Sequence, residues 1–137
     1  MTSLLPVPAD AHANYGPMRM SLYETAPELT VESELLDDGL CGLYDRETDV
    51  ILIDRRMTYT RKRCTLVHEL VHRAHGDDDH TREHRCRLET ASLLIDPAEY
   101  ALAERMYEGN TWLMAEELNV TPQIIDDYRE LLHDRGK

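Results

Sequence analysis

The sequence has no run of about 18 apolar residues, so no helix able to cross a bilayer is expected. It opens MTSLLPVPADAHANYGP, without a basic stretch leading into a long apolar one. No secretory signal is therefore expected, and residues 1–16 read as a flexible Pro/Ala arm. No two cysteines share CxxC spacing: Cys41, Cys64 and Cys86 stand apart and are odd in number. Without a secretion signal they read as reduced, mostly buried thiols in a cytoplasmic protein. Basic residues are scarce, with 15 Lys and Arg against 27 Asp and Glu and a formal net charge of −12. Nucleic-acid binders carry a basic face that displaces phosphate counterions, so direct nucleic-acid binding is not expected. The one basic cluster, Arg55, Arg56, Arg61, Lys62 and Arg63, reads as a solvated strand end and helix start. There is no internal repeat and no low-complexity tract, and 137 residues suit a single domain.

What is present has two textures. The first half carries strand signals. After a short predicted helix over 17–26, with Pro17 in its first turn and Pro27 as its stop, LTVESELL (29–36) alternates apolar and polar residues. DDG (37–39) marks a turn, and LCGLYD (40–45) and DVILID (49–54) form a predicted hairpin around RET. From about Thr58 the period changes to that of a helix, with Leu66, Leu70 and Ala74 recurring every four residues. Gly76 and an acidic loop follow, then predicted helices over 81–95, from Pro97, over 111–118 and over 122–132. The order predicts an α+β fold: a small antiparallel β unit packed on a helix, then further helices, with residues 111–134 as a C-terminal helical pair. Trp112, the only tryptophan, is expected to anchor that pair, and Tyr23 and Tyr44 to be core or strand residues.

Residues 64–80, CTLVHELVHRAHGDDDH, hold four of the seven histidines. His68-Glu69-Leu70-Val71-His72 is HExxH. Two imidazoles four apart project from one side of a helix and can share a zinc ion at about 2.0–2.1 Å. Glu69 can then face an attacking water as general base. HExxH also arises by chance on surface helices, but apolar neighbours on both sides make this one a buried segment, where unpaired polar groups are costly.

A catalytic zinc takes three protein ligands and keeps one position open. Candidates for the third are His75, His80, Glu83, His84 and Glu89. At about 1.5 Å of rise per residue His75 lies roughly 10 Å along the axis from His68, too far to share the ion. It reads as a supporting or ordinary helix residue, and His80 and His84 as surface groups of the acidic loop. Glu83, in the first turn of the next helix, is favoured, with Cys86 and Thr90 packing beneath it; Glu89 is its rival. Tyr59, Tyr100, Tyr107, His75 and His84 can all donate a hydrogen bond to a developing oxyanion, and the sequence does not choose among them.

The segments GLYDRETDVILIDRRMTYTRKRCTLVHELVH (42–72) and EHRCRLETASLLIDP (83–97) resemble the ImmA/IrrE family of zinc metallopeptidases, found in bacteria, their phages and mobile elements. The likeness runs over roughly residues 29–97, with a weaker echo at AEELNVT (115–121). It implies a zincin-like core with His68, His72 and Glu83 as zinc ligands and Glu69 as base. It also implies a cytoplasmic endopeptidase whose substrate is a regulatory protein, such as a phage-type or stress repressor that binds DNA. Arg87 and Glu89 depart from the aromatic and small residues that the family tends to carry after the glutamate.

Two other readings compete. WLMAEELNVTPQIIDDYRELL has the rhythm of a helix-turn-helix in a DNA-linked regulator, but Asp126, Asp127 and Glu130 would repel phosphates. A non-catalytic, zinc-containing protein-interaction module requires a fourth ligand, for which Cys64, Cys86 and His84 are the candidates.

Overall fold

The computed structural model describes residues 7–76 and 82–135. Helix α1 (Tyr15–Thr25) precedes three strands, β1 (Thr30–Glu34), β2 (Gly42–Asp45) and β3 (Val50–Asp54). Five helices follow: α2 (Tyr59–His75), α3 (Glu83–Leu94), α4 (Pro97–Met106), α5 (Thr111–Leu118) and α6 (Pro122–Arg135). The fold is α+β, as the change of period along the chain predicts.

The hairpin forms, with β2 antiparallel to β3 and Leu43 opposite Leu52. The third strand differs from the expected antiparallel unit: β1 runs parallel to β3, and the order is β1-β3-β2. Burial explains the arrangement. In VILID of β3, Ile51 and Ile53 are fully buried and Val50 and Leu52 partly so, whereas TVESE of β1 alternates exposed and half-buried residues. A strand with apolar residues on both faces belongs in the centre, so β3 inserts between the other two. That leaves β2 as an edge strand.

Helix α2 packs against α1, β2, β3 and α3. Thr58 starts it by accepting the Arg61 N–H at 3.2 Å, and Gly76 ends it in the left-handed conformation at φ 71°. Leu66, Val67, Leu70 and Val71 give it a buried face. Close sheet packing rests on Gly42, where an added Cβ would stand 2.6 Å from Thr65 Cγ2 and 3.1 Å from the Leu52 carbonyl oxygen. Asp96 caps α4 and Asn110 caps α5, each accepting the N–H three residues on at 3.0 Å. Helix α6 lies against both α3 and α5.

Three side chains differ from expectation. Trp112 is 74% exposed; Met114, Ala115, Ile125 and Tyr128 anchor the last two helices instead, with the Tyr128 and Tyr100 rings 4.7 Å apart. Tyr23 lies on the outer side of α1, whose buried face is Tyr15, Met18 and Leu22. Arg63, read as solvated, is buried: its guanidinium donates to the carbonyls of Ala11, Ala13 and Asn119. It thereby ties residues 11–13 and the α5–α6 turn to α2. Among the described residues, no helix is long and apolar enough to cross a membrane.

Candidate metal centre

One turn of α2 brings His68 and His72 together, with Nε2 atoms 3.2 Å apart and rings nearly perpendicular at 78°. Glu83 opens α3, where a carboxylate suits the positive end of the helix dipole. Its Oε1 stands 2.5 Å from His68 Nε2 and its Oε2 3.4 Å from His72 Nε2. The three side chains offer ligand atoms within 4.8 Å of one another, the only such group of His, Cys, Asp and Glu among the described residues.

The outer nitrogens decide which way the rings face chemically. Thr90 Oγ1 donates to the Cys86 carbonyl at 2.6 Å, so its single proton is committed. At its 3.4 Å contact with His68 Nδ1 it can therefore act only as acceptor. A proton on Nδ1 suits that contact and makes Nε2, the nitrogen nearest Glu83, the one available to a metal. Cys86 Sγ takes the matching place 3.5 Å from His72 Nδ1. Two inward imidazole nitrogens and a carboxylate form a donor set that fits a divalent ion such as zinc.

The cluster lies in a cleft of about 490 Å³. One wall is the segment Gly39–Tyr44, including edge strand β2; the other is Glu83, Arg87 and Thr90 of α3 with Thr121 and the first turns of α6, Gln123, Ile124 and Asp127. Glu69 is buried, lines the cleft and has its Cγ 3.5 Å from where a Gly42 side chain would begin. The missing side chain at residue 42 thus leaves room for the carboxylate that follows His68.

The other candidates lie elsewhere. Glu89 pairs with His75 at 2.7 Å, which takes both away from the three-residue group. His84 pairs with Glu130 at 2.6 Å, and His80 lies outside the described residues. Tyr59 is 76% exposed and stacks on Tyr15, Tyr100 packs on Tyr128, and Tyr107 donates to Glu117 at 2.7 Å. None of those tyrosines, nor His75 or His84, lines the cleft. Cys64 does line it, but burial pushes its thiol up, away from the thiolate that binds metal. Two cations line the cleft, Arg61 and Arg87, and neither they nor the α6 wall are among the residues expected there from the sequence. The spacing Glu83, Arg87, Thr90 on one helix face was the signal that could have found Arg87.

Residues 36–127 match the sequence profile of the IrrE N-terminal-like domain, Peptidase_M78. The chain belongs to this family. The match begins just before β2 and ends at Asp127, so the whole cleft falls within the M78 region. M78 is a metallopeptidase-type family, in keeping with the resemblance carried by HExxH and the glutamate helix. No curated protein matches the sequence.

Proposed function

We propose that the protein is a zinc-dependent endopeptidase, with His68, His72 and Glu83 as metal ligands and Glu69 as general base. The observation that carries this reading is the convergence of the His68, His72 and Glu83 ligand atoms within 4.8 Å of one another, with Thr90 behind His68. A zinc ion held by these three residues would supply Lewis acidity at the cleft.

The chain's own residues do the rest. Glu69 takes the proton from the attacking water and returns it to the leaving amine. Edge strand β2 offers unpaired backbone groups to an extended peptide, which can add to the sheet as a further strand. Leu40 and Leu43, partly exposed on that wall, and Ile124 opposite supply apolar contacts for its side chains. The substrate is a protein with an accessible extended segment, for which a DNA-binding repressor is the proposed class. A strongly acidic chain attracts such a basic partner. The three free cysteines suit a reducing cytoplasm.

The scaffold alternative requires a fourth protein ligand, and among the described residues the group holds three. Glu69→Gln separates the two readings. Hydrolysis lost with zinc retained supports the peptidase; function unchanged in Glu69→Gln supports a metal-bearing scaffold.

A further inference from the structure

Among the described residues, the guanidinium groups of buried Arg63 and of partly buried Arg73 and Arg129 are well used, and that of Arg87 is not. Arg63 reaches three backbone carbonyls, Arg73 binds both oxygens of Asp49 at 2.8 and 3.0 Å, and Arg129 bonds to Thr111 and the Gly109 carbonyl. Arg87, in the cleft wall, makes a single hydrogen bond among the described residues, from Nη2 to His84 Nδ1 at 3.2 Å. Its Nε is shielded from solvent yet has no acceptor, and Asp127 Oδ1, at 3.9 Å, is beyond hydrogen-bond reach. A buried N–H left without a partner is costly, on the order of 1–3 kcal/mol, so native structures keep few of them without a reason.

Position supplies the reason. Arg87 lies one turn after Glu83 on the face of α3 that borders the cleft. Helical side chains lean toward the N-terminus, so the guanidinium lies back over the Glu83–His84 turn, as its contact with His84 records. Asp127 is held by Gln123 Nε2 at 2.9 Å and keeps the charge of Arg87 partly balanced without occupying its donors. The result is a permanent cation in the cleft lining: Nε is shielded from solvent, so the donors that a bound peptide can reach are those of the Nη groups, of which only Nη2 makes a hydrogen bond among the described residues.

We propose that Arg87 is a catalytic residue, donating hydrogen bonds to the carbonyl oxygen of the peptide bond under attack as that oxygen gains negative charge. This inference rests on the peptidase reading of the same cleft. A donor fixed before the reaction and strengthened by developing charge acts on the transition state more than on the bound substrate. Asp127, buried and 3.9 Å from Arg87 Nε, acts on the guanidinium through charge rather than through a hydrogen bond.

The test is binding rather than turnover. Two probes carry the same leucine side chain: a phosphonamidate dipeptide, whose tetrahedral oxygens mimic the attacked carbonyl, and a mercaptoacyl dipeptide, which binds metal through sulfur. Affinities are measured by titration calorimetry on zinc-loaded wild type, Arg87→Gln and Arg87→Lys, with metal content checked in each. The expected result is that Arg87→Gln weakens the phosphonamidate on the order of 100-fold or more, leaves the thiol probe within a few-fold and retains metal. Arg87→Lys recovers part of the loss. Equal weakening of both probes, or of neither, overturns the role of Arg87. Wild type that takes up no metal and binds neither probe overturns the peptidase reading itself, a failure visible without any variant.

Discussion

Thr90 Oγ1 stands 3.4 Å from His68 Nδ1 while donating its own proton to the Cys86 carbonyl 2.6 Å away. A hydroxyl committed in this way has only its acceptor side to offer the imidazole. As an acceptor at Nδ1 it favours the tautomer whose Nε2, 2.5 Å from Glu83, can ligate a metal. Residues that orient a ligand from behind in this manner govern metal affinity as well as geometry.

Thr90→Val keeps the buried shape of this residue and removes the acceptor. Zinc affinity, measured by competition with a chromophoric chelator, is expected to fall roughly 10- to 100-fold while the far-ultraviolet circular dichroism stays that of wild type. Unchanged affinity would show that the tautomer of His68 is set by something else.

Gly42 is where sheet and helix meet most closely, and a methyl there would lie 2.6 Å from Thr65 Cγ2. Gly42→Ala is expected to destabilise the fold by about 1–3 kcal/mol, the usual cost of overpacking, read from the urea midpoint. Pairing it with Thr65→Ser, which deletes the clashing methyl, recovers part of that loss. A double variant no more stable than Gly42→Ala alone would contradict the packing account.

Asp54 is drawn down to about 2, chiefly by hydrogen bonds from the Arg56 guanidinium and backbone N–H. Its folded value lies below its unfolded value, so its contribution to stability is present above the unfolded range near 4 and is lost as pH falls toward 2. The gap in urea midpoint between wild type and Asp54→Asn is therefore expected to narrow between pH 5 and pH 3. A constant gap across that window would place the effect elsewhere.

How much of this was legible beforehand follows from the range of each interaction. HExxH was readable because four residues on one helix fix the His68–His72 relation locally, whatever the rest of the chain does. The choice between Glu83 and Glu89 was not, because it depends on how α3 crosses α2; the fold gives Glu89 to His75 and brings Glu83 to the two imidazoles. The hairpin was written in its turn, but the parallel pairing of β1 with β3 is a long-range choice made by burial of Ile51 and Ile53. Trp112 and Arg63 misled in opposite directions. Residue type suggested a core tryptophan and a solvated arginine, and the carbonyls of Ala11, Ala13 and Asn119, distant in sequence, reversed the second. The α6 wall was hidden for the same reason: IIDDYRELL reads as an ordinary acidic helix until Asp127 is found buried against α3.

The most direct test of the central claim is the metal content of purified protein by elemental analysis, for wild type, Glu83→Ala and Glu89→Ala. One zinc per chain in wild type, lost in Glu83→Ala and kept in Glu89→Ala, is the result this account predicts. Zinc absent from wild type after purification without chelators and resupply of the ion, or retained in Glu83→Ala, would contradict it.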